Sequence, residues 1–200
     1  MTRFTVPLLL ALAGLVLFGQ GAYIHAKALL AQVLLERAFA ETIASGRATK
    51  PWSWADTWPV ARIEVKRLRA SAIVLAGSSG QALAFGPGHV ELTPNAGERG
   101  VAVYSAHRDT HFRFLKNVAI GDEIDIMRND GRTFRYRADG AAVVRFDASG
   151  IDGQTDGYEL VLSTCWPFDA VTPGPMRYVL HATMIGLTGT SDEQVPNGSN

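Results

Sequence analysis

The sequence has very little cysteine: Cys165 is the only one among 200 residues. A single thiol excludes an internal disulfide and a cysteine-rich zinc site, and it is compatible with an exported protein. The chain also lacks a surplus of either charge, because 19 basic residues balance 19 acidic ones, so nothing indicates a nucleic-acid partner. No internal repeat is evident. With 47% hydrophobic residues, the length suffices for one compact domain and a terminal segment.

Charged side chains are also missing near the N-terminus, where Lys27 is the first one after Arg3. As a helix, residues 4–24 would be about 30 Å long, enough to cross a hydrocarbon core. A cleaved signal peptide is the alternative, because residues 7–18 have the length of its apolar region. We favour an uncleaved anchor over residues 1–26, because apolar residues continue at helical spacing at Leu29, Leu30, Val33, Leu34, Phe39 and Ile43.

The single charge of Arg3 places that end of the anchor in the cytoplasm by the positive-inside rule. The rest of the chain is then expected on the extracytoplasmic side of the membrane. The helical pattern ends at Ser45 and Gly46, with glycine in its usual stop position. Residues 27–61 are therefore predicted to be a helical stalk and a tryptophan-rich linker. Its indoles either mark a membrane interface or pack as a strap across the domain, and the sequence leaves both open.

The apolar pattern changes to a period of two from residue 62 onward, and a folded domain is predicted over 62–187. About eight strands with little helix argue for an antiparallel barrel or sandwich. Strands are expected near 63–68, 71–76, 81–85, 101–107, 123–128, 132–138, 141–146, 158–165 and 176–185. Residues 188–200 are rich in Gly, Ser and Asn without an apolar period, and they are predicted to be a disordered tail.

Cys165 lies at the end of an apolar strand, because Pro167 cannot continue a ladder of hydrogen bonds. A lone cysteine is commonly packed as a small hydrophobic residue. The junction between a strand and a loop is nevertheless where rigid scaffolds place reactive groups. We therefore interpret Cys165 as a nucleophile, which requires a base or a positive charge to favour its thiolate.

His107 is the preferred base among five histidines, because it also lies where a strand opens into a loop. For the other candidates, His25, His89 and His181, a structural role is the simpler interpretation. His111 follows His107 at i+4, a spacing that could bind metal on a helix. The pair lacks the glutamate of a His-Glu-x-x-His motif and a third ligand, so no metal or other cofactor is expected.

Arg177 begins the strand after the cysteine strand. A hairpin between the two strands would return Arg177 to Cys165, where it could stabilise an oxyanion. The simpler alternative is a solvated arginine at a strand edge.

Several motifs resemble the sortase family when they are taken in chain order: Ser-Ala-His107-Arg-Asp-Thr-His-Phe, Gly121-Asp122-Glu-Ile, Leu162-Ser-Thr-Cys165 and Met176-Arg177-Tyr. The Trp-rich stretch and Thr-Cys-Trp-Pro-Phe are most similar to the Gram-negative class of sortases. Ser105-Ala106 and Ser163 depart from residues that many members have. These departures concern packing and motif preference more than chemistry.

The resemblance implies a closed eight-stranded β-barrel behind an N-terminal membrane helix. It implies a cysteine transpeptidase that cleaves a Thr–Gly-type bond in an LPxTG-like C-terminal sorting signal of an exported protein. The acyl group would pass through a thioacyl-enzyme to an amine acceptor. Cys165 would be the nucleophile, His107 the acid/base and Arg177 the stabiliser of oxyanion or substrate.

Two alternatives belong to other classes. One is a peptidoglycan transpeptidase of the L,D type, but its cysteine follows a glycine, whereas Thr164 precedes Cys165 here. The other is a membrane-tethered binding domain without catalysis. Labelling Cys165 with a thiol reagent separates an enzyme from a binding domain, because fast, single-site labelling at neutral pH indicates an activated thiol.

Overall fold

The computed structural model describes residues 5–151 and 155–188. Its first element is one continuous helix, α1, over Thr5–Ser45. The helix ends as expected at Gly46, which has a left-handed φ of 69° and donates its amide to the Thr42 carbonyl. Leu9–Ser45 is long and apolar enough to cross a membrane, and none of its most apolar window is buried in the protein.

The second half of α1 packs against the barrel. Leu35 and Phe39 are fully buried there in a cluster with Ile73 and Leu75. Burying one such side chain contributes about 1.5–3 kcal/mol, which is more than the exposed ion pair of Glu36 with Arg62 can supply. Apolar packing therefore fixes the stalk to the barrel.

Eight strands close into a barrel in the order β1-β2-β3-β4-β7-β8-β6-β5. Their bounds are β1 Pro59–Val65, β2 Ala70–Ala76, β3 Gly88–His89, β4 Gly100–Ser105, β5 Glu123–Arg128, β6 Thr133–Arg145, β7 Tyr158–Cys165 and β8 Met176–Thr188. A 3₁₀ helix occupies Arg113–Asn117. The predicted closed eight-stranded barrel is confirmed.

Three local predictions were wrong. The segment predicted as a strand at 81–85 is a short helix, α2, over Gly80–Phe85, because the Ser79 side chain caps it by accepting from the Ala82 amide. The strands expected at 132–138 and 141–146 are one strand, β6, whose pairing continues past an irregularity at Gly140. The barrel is also not wholly antiparallel, since β2 pairs with β3 and β4 with β7 in parallel.

The barrel core is formed by the inward-facing side chains of alternate strand positions. Its largest fully buried members include Tyr104, Tyr136, Ile63, Leu160 and Leu162. Residues 188–200, predicted as a disordered tail, lie outside the described residues except for Thr188 at the end of β8.

Candidate active site

The candidate site begins at Cys165, the last residue of β7. The neighbouring Thr164 side chain points into the barrel, where it is 2% exposed and donates a hydrogen bond of 2.7 Å to the Ala106 carbonyl. Because side chains alternate along a strand, Cys165 faces the outside of the barrel. It is free and partly exposed, as a nucleophile requires.

Arg177 lies directly across from Cys165, because the two are register partners in the antiparallel pair of β7 and β8. The next pair outward is joined by a hydrogen bond of 3.0 Å from the Trp166 amide to the Met176 carbonyl. Cys165 and Arg177 are therefore a pair without mutual backbone hydrogen bonds, the kind whose Cα atoms lie only about 4.5 Å apart. The predicted return of the hairpin is confirmed.

His107 reaches the same edge from the other side of β7. Strands β4 and β7 are parallel, and their last partners are Ser105 and Ser163. The Ala106 amide extends the pairing by donating to the Ser163 carbonyl at 3.2 Å. Continued by two residues, this register brings His107 level with Cys165. Its side chain is exposed.

An outer layer of valines indicates that the three residues share one face. Val101, Val103, Val161 and Val179 form a buried cluster outside the main core. Residues an even number of positions apart along a strand share a face. Cys165 is four residues after Val161, and His107 is four residues after Val103. Arg177 is two residues before Val179. The structure thus brings all three predicted site residues to one edge of the barrel.

The guanidinium of Arg177 is held by the loop between β7 and β8. Its Nη1 donates to the carbonyls of Gly174 and Met176, each at 2.9 Å. The ring of Phe146 lies 5.8 Å from the guanidinium carbon. Among the described residues these two bonds are the only protein contacts of this kind, so Nη2 and Nε remain available to a bound molecule.

The comparisons with known proteins agree with this geometry. The Sortase domain model matches residues 63–185, more than half of the chain. The chain belongs to the sortase family. Sortase D of Bacillus subtilis (strain 168) is 31% identical over 124 residues, which are 62% of each chain. The match therefore spans less than two thirds of that relative's length.

Solved sortases have the same fold. A Clostridium perfringens sortase D5 transpeptidase aligns at a TM-score of 0.61 and 21% identity, covering 78% of this chain and 96% of that one. Sortase E from Streptomyces avermitilis aligns at a TM-score of 0.55 and 26% identity, and the alignment covers 65% of this chain and 90% of that one.

The remaining histidines of this sortase have different surroundings. His111 is partly buried beside the site, where burial and the nearby His107 lower its pKa despite a bond to the Ala84 carbonyl. His89 is held by Thr93 and the Pro94 carbonyl. His25 is exposed on α1, and His181 lines an outer surface cavity of about 470 Å³. The described residues include no group of three or more His, Cys, Asp or Glu placed to hold a metal.

Sequence reasoning missed Arg108, which is 9% exposed. Its Nη2 donates to the carbonyls of Ala170 and Thr172, the latter at 3.1 Å. Arg108 therefore ties the residue after His107 to the loop that joins Cys165 to Arg177. Only its place in the His-Arg-Asp motif could have drawn attention to it.

An aromatic cluster supports the same loop. Trp166 stacks on Tyr178 with ring centroids 6.0 Å apart, and Phe168 lies 5.2 Å from Tyr178. Burial raises the pKa of Tyr178. The cluster holds the chain close to β8 immediately after Cys165.

Proposed function

We propose that this sortase is a membrane-anchored cysteine transpeptidase that cleaves a C-terminal sorting signal of an exported protein. The observation that supports it best is the pairing of Cys165 with Arg177 on β7 and β8, with His107 at the same edge. The family membership, and the Thr-Cys and Met-Arg-Tyr motifs on these strands, support the same reading.

The reaction has two stages. The Cys165 thiolate attacks the carbonyl carbon of a Thr–Gly-type bond, and the resulting oxyanion is stabilised by the free nitrogens of Arg177. His107 gives a proton to the leaving amine as the C–N bond breaks, which leaves a thioacyl-enzyme. An acceptor amine then loses a proton to His107 and attacks the thioester, which restores the thiolate.

Residues 1–26 act as the uncleaved anchor in the inner membrane, with 27–61 as stalk and linker and 62–187 as the catalytic barrel on the periplasmic side. The apolar, unburied first half of α1 supports the anchor. The Trp-rich stretch and Thr-Cys-Trp-Pro-Phe sequence support membership of the Gram-negative class.

The test is to trap the thioacyl-enzyme with a library of LPxTG-like peptides and to identify the adduct by mass spectrometry. We expect one acylated residue, Cys165, and a mass that reports the peptide up to its threonine. The adduct should disappear when an amine is added. Absence of any adduct over the whole library, in protein whose thiol reacts with small reagents, would contradict the proposal.

A further inference from the structure

An apolar cavity of about 590 Å³ lies between α1, the tryptophan segment and α2. We call it the stalk cavity, and its apolar wall includes Leu30, Leu34, Trp52, Trp54, Ala84 and Phe85. The Trp52 and Phe85 rings meet edge to face at 4.9 Å. Binding pockets for small molecules have volumes of roughly 300–1,000 Å³, so the stalk cavity is large enough for a hydrocarbon chain.

The cavity lies immediately beyond the apolar run of the anchor. Lys27, the first charge after that run, is on its rim. Leu34 lies seven residues further along the helix, a rise of about 10 Å. The headgroup zone of a bilayer is roughly 5–8 Å thick on each side. The part of the cavity lined by Lys27 and Leu30 is therefore level with the headgroups when residues 1–26 span the membrane.

The surface around the mouth is apolar and uncovered. Trp54 and Leu30 line the cavity and are still 83% and 57% exposed. Tryptophan at the headgroup level and lysine directed toward phosphate are the usual residues of a membrane interface. The rim also has one acid, Asp56, so it presents one charge of each sign.

We propose that the stalk cavity binds one acyl chain of a zwitterionic phospholipid from the outer leaflet. Lys27 faces the phosphate and Asp56 faces the headgroup amine, while Trp54 covers the first carbons of the chain. This inference rests on the proposed membrane anchor. It resolves the two interpretations of the tryptophans: Trp52 packs on the domain, and Trp54 contacts lipid.

The experiment uses the full chain in nanodiscs of phosphatidylethanolamine whose acyl chains are brominated near the headgroup. Bromine quenches only tryptophans in contact with lipid. Trp52 and Trp54 both line the cavity, but only Trp54 is expected to contact lipid, so Trp54→Phe should remove most of the quenching. The matched control is Trp58→Phe, a tryptophan of the same segment that does not line the cavity, which should leave the quenching unchanged.

A second pair of variants tests occupancy directly. Ala84→Phe fills the cavity from α2, and Ala40→Phe adds the same ring at an exposed position of α1 away from it. Native mass spectrometry of detergent-extracted protein should find one bound phosphatidylethanolamine on the wild type and on Ala40→Phe. Ala84→Phe should lose it, and phosphatidylglycerol should replace it poorly.

The outcomes separate this inference from the anchor. Protein that enters the nanodisc but shows equal quenching in wild type and Trp54→Phe overturns the lipid site and leaves the anchor intact. Protein that does not enter the bilayer overturns the anchor first. Trp54 shielded from both bromolipid and aqueous iodide indicates a second copy over the cavity, which also overturns the lipid site.

Discussion

Two flanks of the barrel use arginine differently. On the site flank, at the ends of β4, β7 and β8, Arg108 and Arg177 donate to backbone carbonyls, and no carboxylate of the described residues pairs with them. On the opposite flank, around β1, β5 and β6, arginines meet carboxylates. Arg67 bonds both oxygens of Asp122, one at 2.6 Å, and Arg135 bonds both oxygens of Asp125.

The two flanks differ in whether the charge of each arginine is neutralised by a carboxylate. The Arg–Asp pairs of the opposite flank neutralise each other and hold neighbouring elements in place. Burial alone would raise the pKa of Asp125, but the bonds from Arg135 and Lys66 outweigh it and lower that pKa. Arg108 and Arg177 have no such partner among the described residues, so their charge can favour a thiolate or an oxyanion.

The largest expected effect comes from Cys165→Ala, which removes the only thiol. We expect turnover and adduct formation to be abolished, with the thermal unfolding midpoint nearly unchanged, because the end of β7 accommodates alanine. Adduct mass spectrometry and circular dichroism measure the two properties. Transpeptidation near the wild-type rate would end the assignment of the nucleophile.

His107→Ala should come next, because general acid–base catalysis is typically worth about 10²–10⁴ in rate. His111→Ala is the matched control, since it removes a histidine four residues away that does not continue the β4 register. Its loss in kcat/KM should be much smaller. A larger loss in kcat/KM for His111→Ala than for His107→Ala would mean that His111 is the acid/base.

Arg177→Ala should cost roughly 3–4 kcal/mol of transition-state stabilisation, the usual value of one oxyanion donor. Arg177→Lys keeps the charge and loses the planar fork, so its kcat should fall nearly as far. Arg132→Lys makes the same change on the opposite flank, where Arg132 pairs with Asp130, and should leave kcat unaltered. Full activity of Arg177→Ala would mean that Arg177 is a solvated arginine at a strand edge without a role in catalysis.

Asp122→Asn should have the smallest effect on activity and a visible one on stability. The hydrogen bonds from Arg67 are the main reason that the pKa of Asp122 is lowered in the folded chain. The folded state therefore binds this proton less readily than the unfolded state. Its stabilisation is complete above the unfolded pKa of about 3.9, and it is lost as pH falls from there through the folded pKa.

The measurement for Asp122 is the free energy of unfolding between pH 7 and pH 3. Asp122→Asn should unfold more easily at pH 7, and the difference from the wild type should shrink in acid. Glu41→Gln, an exposed acid of α1, is the control and should alter neither. A constant difference across this pH range would contradict the role of the pair.

The grouping of the three candidate residues was predictable from sequence because they lie where strands end. Pro167 stops β7 after Cys165, and the hairpin to Arg177 is short enough to fix the register. The identity of α2 was not predictable from alternation, since a serine cap decided between strand and helix at residues 80–85. The contacts of Arg108 were not predictable either. Its partners are backbone carbonyls more than sixty residues away, and a pattern of side chains in the sequence does not indicate such contacts.

The unbroken course of α1 has a consequence for how substrates are found. A helix of 41 residues is about 60 Å long. Its second half packs against the outside of the barrel, so the helix fixes the distance between the barrel and its own first half. With residues 1–26 in the membrane and Cys165 as the nucleophile, both as proposed above, the thiol would stay at a set height above the lipid. Its search for substrate would then be confined to two dimensions, and a sorting signal would meet it only on emerging from the membrane to that height.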